Sequence, residues 1–472
     1  MMDHTKPVGE VAARIRRIEQ GLRPTAFPGV PTTRATLEER MAYWNVPGVS
    51  IAVLHDNAIE WGQGYGLQEA GKAAPVTRAT LFQAASISKP VTAAAVLRLV
   101  EAGRLDLDED VNRYLVSWKV PANDGWQPRV TLRHLLCHGG GITVHGFPGY
   151  QRGAPLPMLT QILNGETPAN TPAIRVDTLP GVQFRYAGGG TTIVQQLLID
   201  VLRQPFPDLM RETVLDPLGM QQSSYDQPLP EARWSLAASG HRGEQGSNTT
   251  VDGKWHVYPE MAAAGLWTTP TDLLRFALAV QTAKAQRSPG VLTSSQVDQM
   301  LTPQVEGQIG LGFFLDGKGE AVRFGHSGGN HGFICQLTAF VHRGQGAAVM
   351  TNSYGGSQLI PEIMQAIARE YAWPEFVPTA KQAVRVDEHV LATYVGEYEI
   401  KPGSHFHVSA AIDGLDVKLT GQSAIRFVPT SDTQFFADVV SASLSFRKTA
   451  DGTVDGMIVR QNDRDLPAQR VV

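Results

Sequence analysis

The sequence predicts an α+β protein: a largely antiparallel sheet flanked by helices, followed by a small antiparallel β-barrel. Three observations carry this expectation. Apolar, Gly-bounded stretches sit at both ends of the region 36–373 and would pair into one sheet. Segments with an apolar repeat near 3.6 residues lie between them. Beyond Trp373 the texture changes to short alternating runs broken by turn residues.

The first strand reads Gly48-Val49-Ser50-Ile51-Ala52-Val53-Leu54 and the second runs from Ala58 to Gly66. The intervening His55-Asp56-Asn57 is short enough to join antiparallel neighbours. Further strands are expected at Gly310–Phe314, Gly332–Val341 and Gly346–Asn352, completing the sheet from the far end of the domain. Helices are clearest over Val91–Ala102, before Gly103, and over Thr191–Leu202, Thr271–Thr282 and Ile360–Tyr371. Pro374, Pro378 and Lys381-Gln382 mark a polar connector. The expected division is an N-terminal extension 1–35, a main domain 36–373, a linker 374–383 and a β domain 384–472. In the β domain, strands are expected at Tyr394–Ile400, His405–Ile412, Leu415–Thr420, Phe427–Pro429, Gln434–Ala437, Ser443–Lys448 and Val454–Arg460.

Composition narrows the function. The chain has 472 residues, 42% hydrophobic and 18% charged, with a net charge of −4, the profile of a soluble globular protein. No Lys/Arg cluster marks a nucleic-acid or anionic-membrane partner, so a small uncharged or weakly anionic substrate is expected. No run of about 18 apolar residues is present, which argues against an ordinary transmembrane helix. The opening Met1-Met2-Asp3-His4, followed by Ala12-Ala13-Arg14-Ile15-Arg16-Arg17, lacks the apolar stretch of a secretory signal. With only Cys137 and Cys335 available, a disulfide framework is not expected and a cytoplasmic location fits. His134, His138 and His145 have no zinc-ligand spacing, and their Leu-rich neighbours point to packing. His405 and His407 share one strand face, where surface roles are commoner than ligation. Neither a phosphate-binding Gly-Lys motif nor a dinucleotide fingerprint appears, so no metal or cofactor is expected.

Chemistry begins at Ala84-Ala85-Ser86-Ile87-Ser88-Lys89-Pro90, a Ser-x-x-Lys at the start of a helix. An i,i+3 spacing places the two side chains on one face, about 5–6 Å apart at Cβ, within reach of each other. A serine hydroxyl needs a neighbouring base, and a desolvated lysine can serve as one. Taken by itself, the pattern also fits a helix-capping serine beside a solvated lysine.

The segment Leu81–Lys89, followed by Val130-Thr131-Leu132-Arg133-His134-Leu135-Leu136-Cys137-His138-Gly139-Gly140-Gly141, resembles the β-lactamase and penicillin-binding-protein superfamily. The resemblance is to its class C-like branch of esterases, D-aminopeptidases and DD-peptidases, and covers roughly Thr36 to Tyr371. It implies a β-lactamase/transpeptidase-like sheet with an added helical subdomain. It also implies that Ser86 is the nucleophile and Lys89 its base. The family's Tyr-x-Asn element corresponds to Tyr186-Ala187-Gly188, so Tyr186 is carried over while Gly188 stands where the asparagine would be. A tyrosine near Lys89 and His326 is expected to have a lowered pKa and to act as a phenolate that deprotonates Ser86. Phe324-Gly325-His326-Ser327-Gly328-Gly329 is similar to the family's Lys-Thr-Gly strand in a His-x-Gly form. It brings His326 to the site, with Gly328 and Gly329 at the substrate edge. The N–H groups of Ser86 and Gly329 would form the oxyanion hole, and Gly188 would border the acyl side.

The same stretch satisfies Gly-x-Ser-x-Gly and makes Ser327 a rival nucleophile, but an elbow requires a following helix and the sequence offers a strand. Met261–Trp267 resembles a family segment near the pocket. The expected activity is hydrolysis of esters or D-configured amides and peptides through an acyl-enzyme. β-Lactam hydrolysis is the enzymatic alternative, and a non-catalytic receptor with the same fold is the alternative from another class. Tyr394-Val395-Gly396-Glu397-Tyr398 opens a C-terminal domain that resembles the lipocalin-like appendages of some members. That domain would shape access to the pocket or support a homo-oligomer.

Overall fold

The computed structural model describes residues 8–23, 34–243, 248–286, 291–305, 308–376, 383–411, 413–421, 424–437, 442–461 and 464–471. The connector residues Lys381-Gln382 and the opening Met1–His4 lie outside them. The chain divides into two compact units, one of Met1–Leu22 with Thr36–Val377 and one of Arg23–Ala35 with Pro378–Val472.

The first unit is organised by a six-stranded sheet of β1 (Gly48–His55), β2 (Ala58–Gly66), β3 (Phe314–Asp316), β4 (Arg323–Asn330), β5 (Phe333–Phe340) and β6 (Gly346–Thr351). The order across the sheet is β2-β1-β6-β5-β4-β3, antiparallel at every pairing. Asp56 and Asn57 both take positive φ (51° and 61°) in the β1–β2 turn, the geometry that matches strand twist and that Asx residues tolerate. β1 reads as a continuous apolar run because both of its faces are covered. Val49, Ile51 and Val53 enter one core cluster, while Ala52 and Leu54 enter the other.

The first of these clusters is closed by α1 (Val8–Glu19) and α6 (Gly356–Glu370). The opposite face carries α2 (Ser88–Glu101), α3 (Gly188–Leu202), the short α4 (Met261–Ala264) and α5 (Pro270–Lys284). α1 falls within the segment expected as an N-terminal extension, yet it packs as part of this domain. Ile18 joins Ile363 and Ile367 in the core, and Arg17 pairs with Glu370.

The expected strand Gly310–Phe314 forms only from Phe314 onward. Gly312 adopts φ +89°, and a Cβ there would stand 2.8 Å from Pro90 Cα, so the chain turns across α2 instead of extending. The four expected helices are present with ends shifted by a few residues: α2 starts at Ser88 and α3 at Gly188.

The second unit is a closed antiparallel barrel of eight strands: β7 (Gly396–Lys401), β8 (Ser404–Ala411), β9 (Gly414–Leu419), β10 (Ile425–Pro429), β11 (Gln434–Ala437), β12 (Ala442–Lys448), β13 (Val454–Gln461) and β14 (Arg464–Val471). β14 pairs with both β13 and β7 and closes the ring. It escaped the sequence reading because Arg464, Asp465, Pro467, Gln469 and Arg470 hide its alternation. Tyr398, Leu415, Leu444 and Met457 fill the interior. His405 and His407 face Glu399 and Glu397 across the β7–β8 ladder, at 3.5 and 3.0 Å, as outward-facing pairs.

Candidate active site

Ser86 lies in a 3₁₀ turn, Ala85–Ile87, immediately before α2. Ala85 is held at φ +48°, a left-handed conformation that disfavours a side chain and so stores strain beside the serine. The turn is fixed from below: Ala84 N–H donates to Leu266 O, and the Cys335 thiol donates to Ala84 O at 3.1 Å. A Cβ at Gly328 would stand 2.3 Å from Ala84 O, so glycine is what allows β4 to approach the turn.

One helical turn onward, Lys89 Nζ lies 2.9 Å from Ser86 Oγ and donates to Ala263 O at 2.8 Å. Lys89 is 4% exposed, and burial lowers its pKa to about 7, because an ammonium loses more hydration than an amine. The lysine is therefore poised between base and acid near neutrality.

Tyr186, which precedes α3, sits with its ring centroid 5.1 Å from Lys89 Nζ and has the Ser86 hydroxyl beside its phenol. The expected lowered pKa is not what this environment produces. Burial raises the phenol to about 12, and the Ser86 hydrogen bond offsets that only partly, so Tyr186 is a neutral O–H.

His326 faces the same centre from β4, its ring 6.1 Å from Tyr186. Burial first, and then repulsion from Lys89, push its pKa down to about 3, so the imidazole is neutral at any working pH. Its Nδ1 lies 2.5 Å from Ser327 O and its Nε2 has no partner among the described residues.

The face alternation of β4 decides between the two serines. His326, Gly328 and Asn330 are buried on the face toward Ser86, whereas Ser327 is exposed on the other face and is followed by strand. Ser327 therefore lacks the geometry of a nucleophile elbow. The turn His331-Gly332 closes the β4–β5 hairpin, making Asn330–Phe333 the terminal bonded pair and Gly329–Ile334 an unbonded one. Gly329 N–H thus points off the edge of β4 away from β5. Ser86 N–H, at the opening of its turn, is likewise without an intrahelical acceptor.

Gly188 does not offer its amide to a ligand: the N–H donates to His145 O at 2.9 Å. A Cβ at this position would stand 2.9 Å from the Phe147 ring and 3.2 Å from His145 O.

Several residues in the site or on the elements that build it were given no part in the chemistry by sequence. His138, read there as packing, has its ring 4.3 Å from Tyr186, accepts Ala187 N–H on Nδ1 and leaves Nε2 unpartnered. Burial, with Lys89 and His326 nearby, keeps it neutral. Its signal was its place in the helix-and-loop landmark Val130–Gly141. Asn330 donates from Nδ2 to Gln83 Oε1 and Ala264 O, tying β4 to α4. Glu260, just before α4, is fully buried with neither Oε partnered among the described residues, and burial raises its pKa to about 7. Phe314 stacks near Tyr186 at 6.3 Å and 14°. No group of three or more His, Cys, Asp or Glu suited to a metal occurs among the described residues. No described helix is long and apolar enough to cross a membrane.

A Beta-lactamase family model matches residues 33–368, and a model described as a domain of unknown function (DUF3471) matches residues 380–470. Penicillin-binding protein 4* of Bacillus subtilis is 22% identical over 417 residues, which is 82% of this chain and 87% of that protein. Esterase EstB of Burkholderia gladioli is 30% identical over 244 residues, 48% of this chain and 58% of that protein. Among solved structures, the octameric penicillin-binding protein homologue from Pyrococcus abyssi aligns with a TM-score of 0.64 at 21% identity. That alignment covers 99% of this chain and all of that one, a likeness of fold.

Proposed function

The chain belongs to the Beta-lactamase family, and from that premise we propose that it hydrolyses esters or D-configured amides and peptides through an acyl-enzyme on Ser86. The observation that carries the reading is the 2.9 Å approach of a desolvated amine, Lys89 Nζ, to an accessible hydroxyl, Ser86 Oγ.

In its neutral form Lys89 takes the Ser86 proton as Oγ attacks the acyl carbonyl. The negative charge that develops on the carbonyl oxygen lies between the N–H groups of Ser86 and Gly329. As the tetrahedral centre collapses, the bond to the leaving group breaks. That group departs with a proton supplied by the Lys89 ammonium directly or across the Tyr186 hydroxyl. Tyr186 acts in this reading as a neutral relay, since a phenol pushed up to about 12 is a poor resting phenolate. Water then repeats the cycle: Lys89 accepts its proton, hydroxide adds to the acyl carbon, and Ser86 leaves reprotonated. Neutral His326 and His138 border the reaction centre without adding charge.

Incubation with p-nitrophenyl acetate, followed by intact-protein mass measurement, tests this. An acetyl adduct in wild type that is absent from Ser86→Ala is expected. No adduct and no turnover of esters or of a chromogenic cephalosporin would favour the non-catalytic receptor instead. β-Lactam hydrolysis stays as a second reading because the relative matched over most of its length is named a penicillin-binding protein. Self-association belongs to the same proposal, prompted by the octameric homologue. A monomeric mass by light scattering at all concentrations would remove it.

A further inference from the structure

We propose that the cavity beside Arg152, Trp234 and Trp255 is a binding site for a small aromatic carboxylate, separate from the acyl-enzyme centre. Its lining lies wholly in the first unit and shares no residue with the set around Ser86. The site stands whether or not Ser86 is acylated.

The cavity measures about 550 Å³, the size range of a small-molecule site. Its wall begins with a short antiparallel ladder, Tyr150-Gln151 against His256-Val257, in which Gln151 faces His256. The next residues outward are Arg152 and Trp255, so the register itself brings guanidinium to indole. Arg152 Cζ lies 4.5 Å from the Trp255 ring centroid and 4.4 Å from that of Trp234. The two indoles stand at 74° with centroids 6.2 Å apart, and the guanidinium sits in the corner they form. Trp234 is fixed by donation from Nε1 to Leu229 O at 2.9 Å, and the ladder by Gln83 Nε2 donating to His256 O at 2.7 Å. Lys254, on the same wall, is held at φ +75°, a left-handed conformation that a lysine adopts only under constraint, with its ammonium 2.7 Å from Glu69.

The corner already holds a cation, so a cationic ligand is excluded from the indole faces that meet there. The charged lining is Arg152, Lys72 and Lys254 against Glu69. Glu69 is matched by Lys254 and by the Ser239 hydroxyl at 3.0 Å, which leaves the charges of Arg152 and Lys72 uncompensated in the wall. What holds Arg152 is the pair of rings: among the described residues no carboxylate or carbonyl meets its guanidinium. Packing against indole uses the faces of a guanidinium and leaves its N–H edge, the fork that takes a carboxylate through two parallel hydrogen bonds. Because the rings fix that fork in advance, little freedom is lost on binding. Trp234, 38% exposed, offers ring surface beside the fork, which favours an aromatic skeleton over a bare anion.

Titration of the full-length protein with sodium benzoate, benzamide and sodium acetate, followed by ligand-observed NMR at low ionic strength, tests the proposal. Wild type is expected to bind benzoate at least about tenfold more tightly than benzamide, which keeps the ring without the charge. Benzoate should likewise exceed acetate, which keeps the charge without the ring, by at least about tenfold. Arg152→Gln should bring benzoate to within about threefold of benzamide, and Trp234→Ala should bring it to within about threefold of acetate. Arg152→Lys, with the charge but not the planar fork, should lose most of the preference over benzamide.

Benzoate bound no more tightly than benzamide in wild type overturns the site. So does a preference preserved in an Arg152→Gln protein that unfolds at the wild-type temperature, since the anion then sits elsewhere, Lys89 included. A Trp234→Ala protein that still prefers benzoate to acetate overturns the aromatic class of the ligand, as does a wild type that binds the two alike. Should Arg152→Gln not fold, Arg152→Lys decides in its place. Ester turnover enters none of these readouts, so failure of the acyl-enzyme reading and failure of this site are told apart.

Discussion

The hydrolase domain and the barrel differ in the polar groups they bury. In the barrel, no charged side chain is buried among the described residues. The hydroxyls of its two enclosed tyrosines are both matched, Tyr394 to Asp432 O at 2.6 Å and Tyr398 to Tyr394 O at 2.8 Å. In the hydrolase domain, by contrast, Lys89, His138, His326 and Glu260 are all buried, and the last three leave ring or carboxyl atoms unpartnered. Unmatched buried groups destabilise a fold, and two of them, His138 and His326, border Tyr186 at 4.3 and 6.1 Å, close to the strained Ala85. The barrel's buried tyrosines follow the ordinary rule that a buried polar group is matched.

That contrast can be broken or sharpened by experiment. The largest effect is expected for Ser86→Ala. Turnover falls by at least about a thousandfold, while the unfolding free energy stays within about 0.5 kcal/mol of wild type, because an accessible hydroxyl contributes to chemistry and not to the core. Equal losses of both would mean that the turn is structural.

Leu444→Ala is the mirror case. This fully buried barrel residue should cost about 2–5 kcal/mol in denaturant unfolding of the barrel, with the pH dependence of turnover unmoved.

Glu260→Gln comes next. A carboxyl raised to about 7 in the folded chain keeps its proton where the unfolded chain has lost it, so wild-type stability falls as pH rises from about 4.3 to about 7 and stays lower above. The glutamine variant should lack this fall, a difference on the order of 1–3 kcal/mol at pH 8 in paired denaturation curves. Matching curves at both pH values would show that Glu260 finds partners in solution.

The smallest effect is the acidic limb of kcat/KM. With Lys89 near 7 and required as a free amine, the rate should fall about tenfold per pH unit below that value and level off above it. A limb near 10 would show that Lys89 keeps the ordinary pKa of a solvated amine.

Legibility from sequence follows the range of the interaction. Ser86 and Lys89 are readable because an i,i+3 spacing is local. The first hairpin is readable because its strands and turn are contiguous. Tyr186 and His326 came from the order of landmarks, since nothing near either residue says that they meet. Their protonation states were not accessible: the reversal at Tyr186 is caused by burial among rings contributed by separate segments. The barrel's last strand was hidden because outward polar residues and Pro467 masked an alternation that ring closure makes sense of.

The four residues of α4 have a mechanical consequence. Consecutive carbonyls of this turn hold Lys89, through Ala263, and Asn330, through Ala264. One mount therefore carries both the Lys89 amine and the strand end bearing Gly329. Any displacement of that mount would move the two together. A change within Met261–Ala264 would therefore act as an on–off control and not as a graded one.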